Sequence, residues 1–220
     1  MPRRIRFVHP LAIRLTHWLN AVLLLGLVAS GLQIFNAYPS FAERGFEFCC
    51  YPFAGKDFPR WARLGGWLGG GLRWHMFFLW FFLLNGVLYL AYVFASGEWR
   101  RRFFLPRDLG NAWQMQLYYL RLRREKPEQG MYNGLQKLAY TGTIALGALS
   151  VLTGFAIWKP VSLPWLAVGL GGYELARFWH FLAVWGFLAF LLVHLFMTLV
   201  VDREATRAMI AGPYRERVDA

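Results

Sequence analysis

Cysteine and acidic residues are both scarce in this chain, and each shortage narrows what it can be. The two cysteines, Cys49 and Cys50, are adjacent in sequence. Neighbouring cysteines seldom bridge to each other without strain, and no third thiol exists to complete a disulfide framework or a four-thiolate cluster. They read as structural or incidental residues of one loop. Asp and Glu number 12 against 24 Lys and Arg, and charged residues make up 16% of the 220 positions, where a soluble domain carries about 25%. What fills the space is apolar: 57% of residues are hydrophobic, with 20 Phe and 11 Trp. The composition is that of a single polytopic membrane domain. A net charge of +12 would suggest nucleic acid in a soluble protein. Here no basic–aromatic nucleic-acid module is present, and basic residues collected in loops are what orients a membrane protein.

Crossing a bilayer takes roughly 20 apolar residues in a helix. Four stretches qualify, at about 13–35, 74–95, 135–158 and 175–201. The first follows a short basic segment, as in a secretory signal. It outruns the 7 to 15 apolar residues of such a signal and carries Arg14 and His17, so it reads as an uncleaved span. Residues 38–73 are rich in Gly, Pro and aromatics, with no helical periodicity. In the 97–134 connection Asp108 is placed to cap a helix with Leu109, Trp113, Leu117 and Leu120 on one stripe. Arginines flank it, as expected of a helix lying in the membrane interface. The third span is lined with Gly, Ala, Ser and Thr, which lets it pack inside a bundle. Pro160 and Pro164 punctuate the short 159–174 connection, and 202–220 is a polar tail. The expected fold class is all-α, an integral membrane four-helix bundle forming one domain over 1–220.

Lys and Arg counts set the orientation. Four lie between the N-terminus and Arg14, eight in 97–134 and four from Asp202 onward. The 38–73 loop holds five against three acids, and 159–174 holds only Lys159. With four spans, the termini and the 97–134 loop share the basic side, which is expected to be cytoplasmic, leaving 38–73 and 159–174 periplasmic. The expected location is the bacterial inner membrane.

Ionisable groups within a span are expensive and usually functional. His180 and His194 both fall in the fourth span, 14 positions apart. On a helix that is about 21 Å of rise, with both rings within about 40° of one face. His17 lies near the cytoplasmic start of span one, level with His194. His75 opens span two on the outer side, level with His180. Axial bis-histidine ligation of haem iron needs opposing rings at one depth, and this topology offers it twice: His17 with His194, and His75 with His180. Without a C-x-x-C-H attachment motif the haems would be two of type b, their irons about 20 Å apart. His9, before Pro10, reads as an interfacial residue. Gly26, Gly31, Gly86, Gly147 and Gly186 are candidates for making room beside a macrocycle or for plain helix packing. Arg14 and Arg177 each precede a proposed ligand by three residues. They suit either haem propionates or snorkelling to headgroups.

The stretches HPLAIRLTHWLN, RWHMFFLW, YNGLQKLAY and RFWH with LLVH fourteen residues later, which cover all four spans, resemble the membrane di-haem cytochrome b subunits of respiratory oxidoreductases. These include the formate dehydrogenase gamma subunit, nickel–iron hydrogenase cytochrome b and thiosulfate reductase cytochrome b types. The resemblance implies the same ligand pairs, quinone as exchangeable substrate, and a periplasmic catalytic or electron-transfer partner of molybdopterin oxidoreductase or hydrogenase type. A fifth span found in some of those subunits has no counterpart here. Asn133, Gln136 and Lys137 are candidate quinone donors at the depth of His17 and His194, and the resemblance places quinone near Asn133. The same residues also suit an N-cap turn and a headgroup anchor. The expected function is electron transfer between such a partner and the quinone pool. Two readings stand beside it: a stand-alone di-haem cytochrome b exchanging electrons between quinone and a small oxidant such as superoxide, and a haem-free transporter or assembly anchor.

Overall fold

A computed structural model of the chain describes residues 4–7, 9–39, 41, 57–128, 130, 132–201 and 203–216. Cys49 and Cys50 lie outside them. Among the described residues four helices are long and apolar enough to cross a membrane: α1 (Leu11–Phe35), α2 (Leu68–Ala95), α5 (Gly134–Trp158) and α7 (Tyr173–Phe196), the last continued by a π-helical turn over Met197–Val201. Short helices α3 (Trp99–Arg102), α4 (Leu109–Tyr119), α6 (Pro164–Gly169) and α8 (Arg203–Ala211) occupy the connections and the tail. The exception to an all-helical chain is an antiparallel ribbon, β1 (Arg4–Phe7) with β2 (Pro213–Glu216), in register Arg4 to Glu216 and Phe7 to Pro213. A helix of 25 residues rises about 37 Å, more than the roughly 30 Å hydrocarbon layer. Large apolar side chains such as Leu15, Val22, Trp80, Leu84 and Leu192 stand exposed along these helices, where lipid would solvate them.

The backbone divides into two compact units, Met1–Ala91 with Leu192–Ala220, and Tyr92–Leu191. In the first, α2 begins six residues before the expected start of span two. Gly65, at φ +112, turns the chain so closely that a Cβ there would meet the backbone nitrogen of Gly71 at 2.3 Å. With no side chains in the way, Trp67 N–H reaches the Gly65 carbonyl and Gly71 N–H the Trp67 carbonyl, both at 2.8 Å. A glycine-rich stretch that looked like loop thereby seeds the helix. Nearby, Phe41 packs tilted and Phe58 edge-on against Phe35 at the end of α1, and Phe58 N–H is held by Asn36 Oδ1 at 2.9 Å.

In the second unit, Ala156 of α5, Ala167 of α6 and Ala176 of α7 form a buried core flanked by Ile157, Leu166 and Leu170. Residues 164–169, expected as loop, are helical because Pro164 sits at the first helical position, where its missing N–H costs nothing. Helix α4 appears where its stripe predicted. It buries Ala112 and Met115 and leaves Leu109, Trp113 and Leu120 exposed. Asp108 does not cap it forward. Its carboxylate turns back to Leu105 N–H at 2.9 Å and to Lys137 Nζ at 2.6 Å.

Candidate functional site

Two of the four predicted ligands face each other within the first unit. His17 of α1 and His194 in the last turn of α7 have ring centroids 5.9 Å apart, the planes inclined by 52°. Imidazole nitrogens bind a metal at about 2.0 Å, so two imidazoles on opposite sides of one ion have centroids about 6 Å apart. His17 Nδ1 is buried with no hydrogen-bond partner among the described residues, and Trp18 meets the ring edge-on at 5.2 Å. An orphaned imidazole in an apolar span is costly, and an iron between the rings suits this geometry.

The surroundings hold both rings in place. Behind His17, Asn85 of α2 is 3% exposed and donates from Nδ2 to the Thr16 carbonyl at 2.9 Å and to Asn20 Oδ1 at 2.8 Å. Beyond His194 the π turn opens the backbone, as often happens at functional sites. The side chains of Thr198, Thr206 and Arg203 bond the carbonyls of His194, Thr198 and Leu199 at 2.8, 2.8 and 2.9 Å.

His75 and His180 belong to different units. In the first unit, His75 Nδ1 lies 3.0 Å from Ser30 Oγ. The hydroxyl also sits 2.7 Å from the Gly26 carbonyl of its own helix. In the second, His180 Nδ1 lies 2.9 Å from Thr153 Oγ1, which sits 2.6 Å from the Leu149 carbonyl. A hydroxyl has a single proton. Given to the carbonyl four residues back, it leaves only lone pairs for the imidazole, so Nδ1 carries the ring proton and Nε2 is the nitrogen whose lone pair a metal would take. Next to each hydroxyl is a glycine: a Cβ on Gly31 would meet His75 Cε1 at 3.5 Å, and one on Gly154 would meet His180 Cε1 at 3.3 Å.

The two arrangements repeat in sequence position. Ser30 and Thr153 each lie five residues before the ends of their helices at Phe35 and Trp158. His75 and His180 each lie seven residues after the starts of theirs at Leu68 and Tyr173. Sequence reasoning missed Ser30, Thr153, Gly154 and Asn85. The readable signal was the hydroxyl–glycine dipeptide, Ser30–Gly31 and Thr153–Gly154, recurring at one place in two spans.

The remaining predicted residues have protein partners. Arg14 donates from Nε to the Met209 carbonyl at 3.0 Å and from Nη2 to the Ile210 carbonyl, closing the C-terminus of α8 as basic side chains do at helix ends. Arg177 pairs with Glu174 at 2.8 Å and lies 6.0 Å from the Tyr173 ring. Asn133 caps α5: its Oδ1 accepts from Gln136 N–H at 2.9 Å, while Gln136 Oε1 accepts from Asn133 N–H at 3.0 Å, a reciprocal capping box. Lys137 is bound by Asp108 rather than directed to headgroups. Burial, the largest single influence on Asp108, pushes its carboxyl up. The Lys137 hydrogen bond, Leu105 N–H and the charges of Lys137 and Arg107 together outweigh it and hold the carboxyl below its ordinary value.

The chain matches, over residues 8–212, the family model described as prokaryotic cytochrome b561. It is 38% identical to the putative protein-methionine-sulfoxide reductase subunit YedZ1 of Azospira oryzae, over 96% of this chain and all of that protein. It is 23% identical to a probable Ni/Fe-hydrogenase B-type cytochrome subunit of Azotobacter vinelandii, over 95% of this chain and 88% of the relative. A protein of the same description from Bradyrhizobium diazoefficiens is likewise 23% identical, over 94% and 83%. No solved structure matches the chain.

Proposed function

The chain belongs to the prokaryotic cytochrome b561 family, and from that premise we propose that it carries electrons across the membrane through two b-type haems, between quinol and a catalytic partner on the periplasmic side. The observation that carries this reading is the facing pair His17 and His194, with ring centroids 5.9 Å apart inside an apolar bundle. His75 and His180 supply the second, outer haem. Bound haem iron would accept and release single electrons; the protein supplies ligands, burial and spacing.

The division of labour among the residues follows. His17 and His194 hold the inner iron, with Asn85 fixing the backbone beside His17. Ser30 and Thr153 present His75 and His180 through Nε2. The basic, cytoplasmic side receives quinol near Asn133, whose amide donors are suited to a quinone carbonyl while Oδ1 keeps the helix cap. Lys137 and Asp108 form an ion pair beside that cap, which keeps the Lys137 ammonium next to it as a proton donor. Quinol releases two electrons and two protons, and the electrons leave singly toward the periplasmic face.

Relatives named as subunits of catalytic complexes support a partner subunit over a stand-alone cytochrome. The higher identity and full coverage of the methionine-sulfoxide reductase relative favour a reductase that consumes electrons, hence outward flow. The hydrogenase relatives support the opposite direction at lower identity. A pyridine haemochrome assay on the purified chain is expected to give two haems b per polypeptide. One or none would overturn the di-haem reading. Rapid reduction of both haems by a quinol analogue, followed by reoxidation only when the co-purifying partner and its sulfoxide substrate are present, is the expected sign of outward flow.

A further inference from the structure

Two buried hydroxyls each meet one of the histidines proposed for the outer haem. Ser30 and Thr153 are both fully buried in apolar spans. Each spends its proton on the carbonyl four residues back, at 2.7 and 2.6 Å. Each therefore offers a lone pair to a histidine Nδ1, at 3.0 and 2.9 Å. A proton on Nδ1 held by an acceptor makes the opposite nitrogen a stronger donor to iron and fixes the ring's rotation about its own bond. Extra donation favours the ferric state over the ferrous, which lowers the reduction potential. His17 differs, because its Nδ1 has no hydrogen-bond partner among the described residues.

We propose that Ser30 and Thr153 are positioning residues that set the tautomer of His75 and His180 and hold the outer haem at a lower potential than it would otherwise have. The proposal rests on the di-haem reading above, with the structure supplying the two hydroxyls and their direction. Both act from behind the ring, on the nitrogen away from the iron. Next to them, a Cβ on Gly31 or Gly154 would come within 3.5 or 3.3 Å of Cε1 of the same ring.

The test is a spectroscopic redox titration of the purified haem-loaded protein, wild type against Ser30→Ala and Thr153→Val. Loss of an outer-shell partner typically costs about 10- to 100-fold in metal affinity or activity. A neutral hydroxyl acceptor belongs at the low end, so the expected change is up to about tenfold in the ferric-to-ferrous ratio at fixed potential, or about 59 mV upward for a one-electron couple. One midpoint is expected to rise in each variant and the other to stay. The double variant is expected to rise further, and Ser30→Thr and Thr153→Ser to return the wild-type value. If a single substitution costs haem instead, recovery of haem by the hydroxyl-bearing variant supports the proposal and failure to recover overturns it. Unchanged midpoints in both variants, with two haems bound, overturn it as well. Shifts in two different midpoints would leave the hydroxyl role standing and overturn the pairing of His75 with His180. A wild-type chain without haem would overturn the function itself.

Discussion

The α1–α2 pair and the α5–α7 pair answer one problem with one device, and differ in how tightly they apply it. In both, a hydroxyl five residues from the end of one helix holds a histidine seven residues from the start of another. A Cβ on Gly31 would sit at ordinary contact distance from His75, 3.5 Å. One on Gly154 would sit 3.3 Å from His180, closer than a methyl comfortably sits. His180 is thus the more closely confined ring. His17 differs: its Nδ1 has no hydrogen-bond partner among the described residues, its ring meets that of His194 at 5.9 Å with the planes inclined by 52°, and Asn85 bonds the backbone beside it.

The largest effects test that separation. His75→Ala is expected to remove the outer haem and keep the inner, and His17→Ala to do the reverse, each dropping the haemochrome value from two to one. Loss of both haems from either variant, in a chain still folded by circular dichroism, would show that the two levels are not independent. Next in size is the glycine pair. Gly154→Ala forces His180 to yield by a few tenths of an ångström, so its haem is expected to dissociate at lower detergent or competitor concentration than wild type. Gly31→Ala is expected to stay close to wild type. Equal retention in the two variants would mean the rings have slack that the 3.5 and 3.3 Å distances do not reveal.

A smaller effect sharpens the Asn133 end. Asn133→Asp keeps the oxygen that caps α5 but removes the amide donors. Quinol-dependent haem reduction is expected to fall severalfold, with haem spectra and melting temperature nearly unchanged. Asn133→Leu also loses the cap, worth about 0.5 to 2 kcal/mol, and is expected to lower both. Unaltered quinol kinetics in Asn133→Asp would move the quinone elsewhere. The smallest effect concerns Asp108. Because the fold holds its carboxyl below the ordinary value of 3.8, the Lys137 pair contributes stability that is complete above that value. The contribution is lost as pH falls through the lower, folded-state value. Asp108→Asn is expected to destabilise the neutral-pH protein by about 1 to 3 kcal/mol, the cost of stranding a partly buried charge, and to flatten the acid limb of its melting curve below pH 4. An unchanged acid limb would assign the pH dependence to other carboxyls.

Much of the fold was legible because the signals are local. Apolar run length marks the four long helices, and the amphipathic stripe of α4 is written at 109, 113, 117 and 120. The Asn133–Gln136 capping box is readable as a helix start at a spacing of three. The start of α2 was not legible: glycines usually end helices, and only the chain's fold-back at Gly65 makes them a helix entrance here. The partner of Lys137 was hidden as well, since Asp108 lies 29 positions away and was expected to serve α4.

By itself the sequence determined which residues are chemically able to bind iron and how far along its helix each lies, because rise along a helix is about 1.5 Å times position and needs no neighbour. Tertiary structure alone decided which nitrogen of His75 and His180 meets a hydroxyl, whether Arg14 is available to a ligand or closes α8, and which glycine lies beside which ring. Those are properties of two helices at once. A hydroxyl in a span satisfies its own backbone or a neighbour's ring equally well on paper, and only the approach of Ser30 to His75, and of Thr153 to His180, assigns its lone pairs.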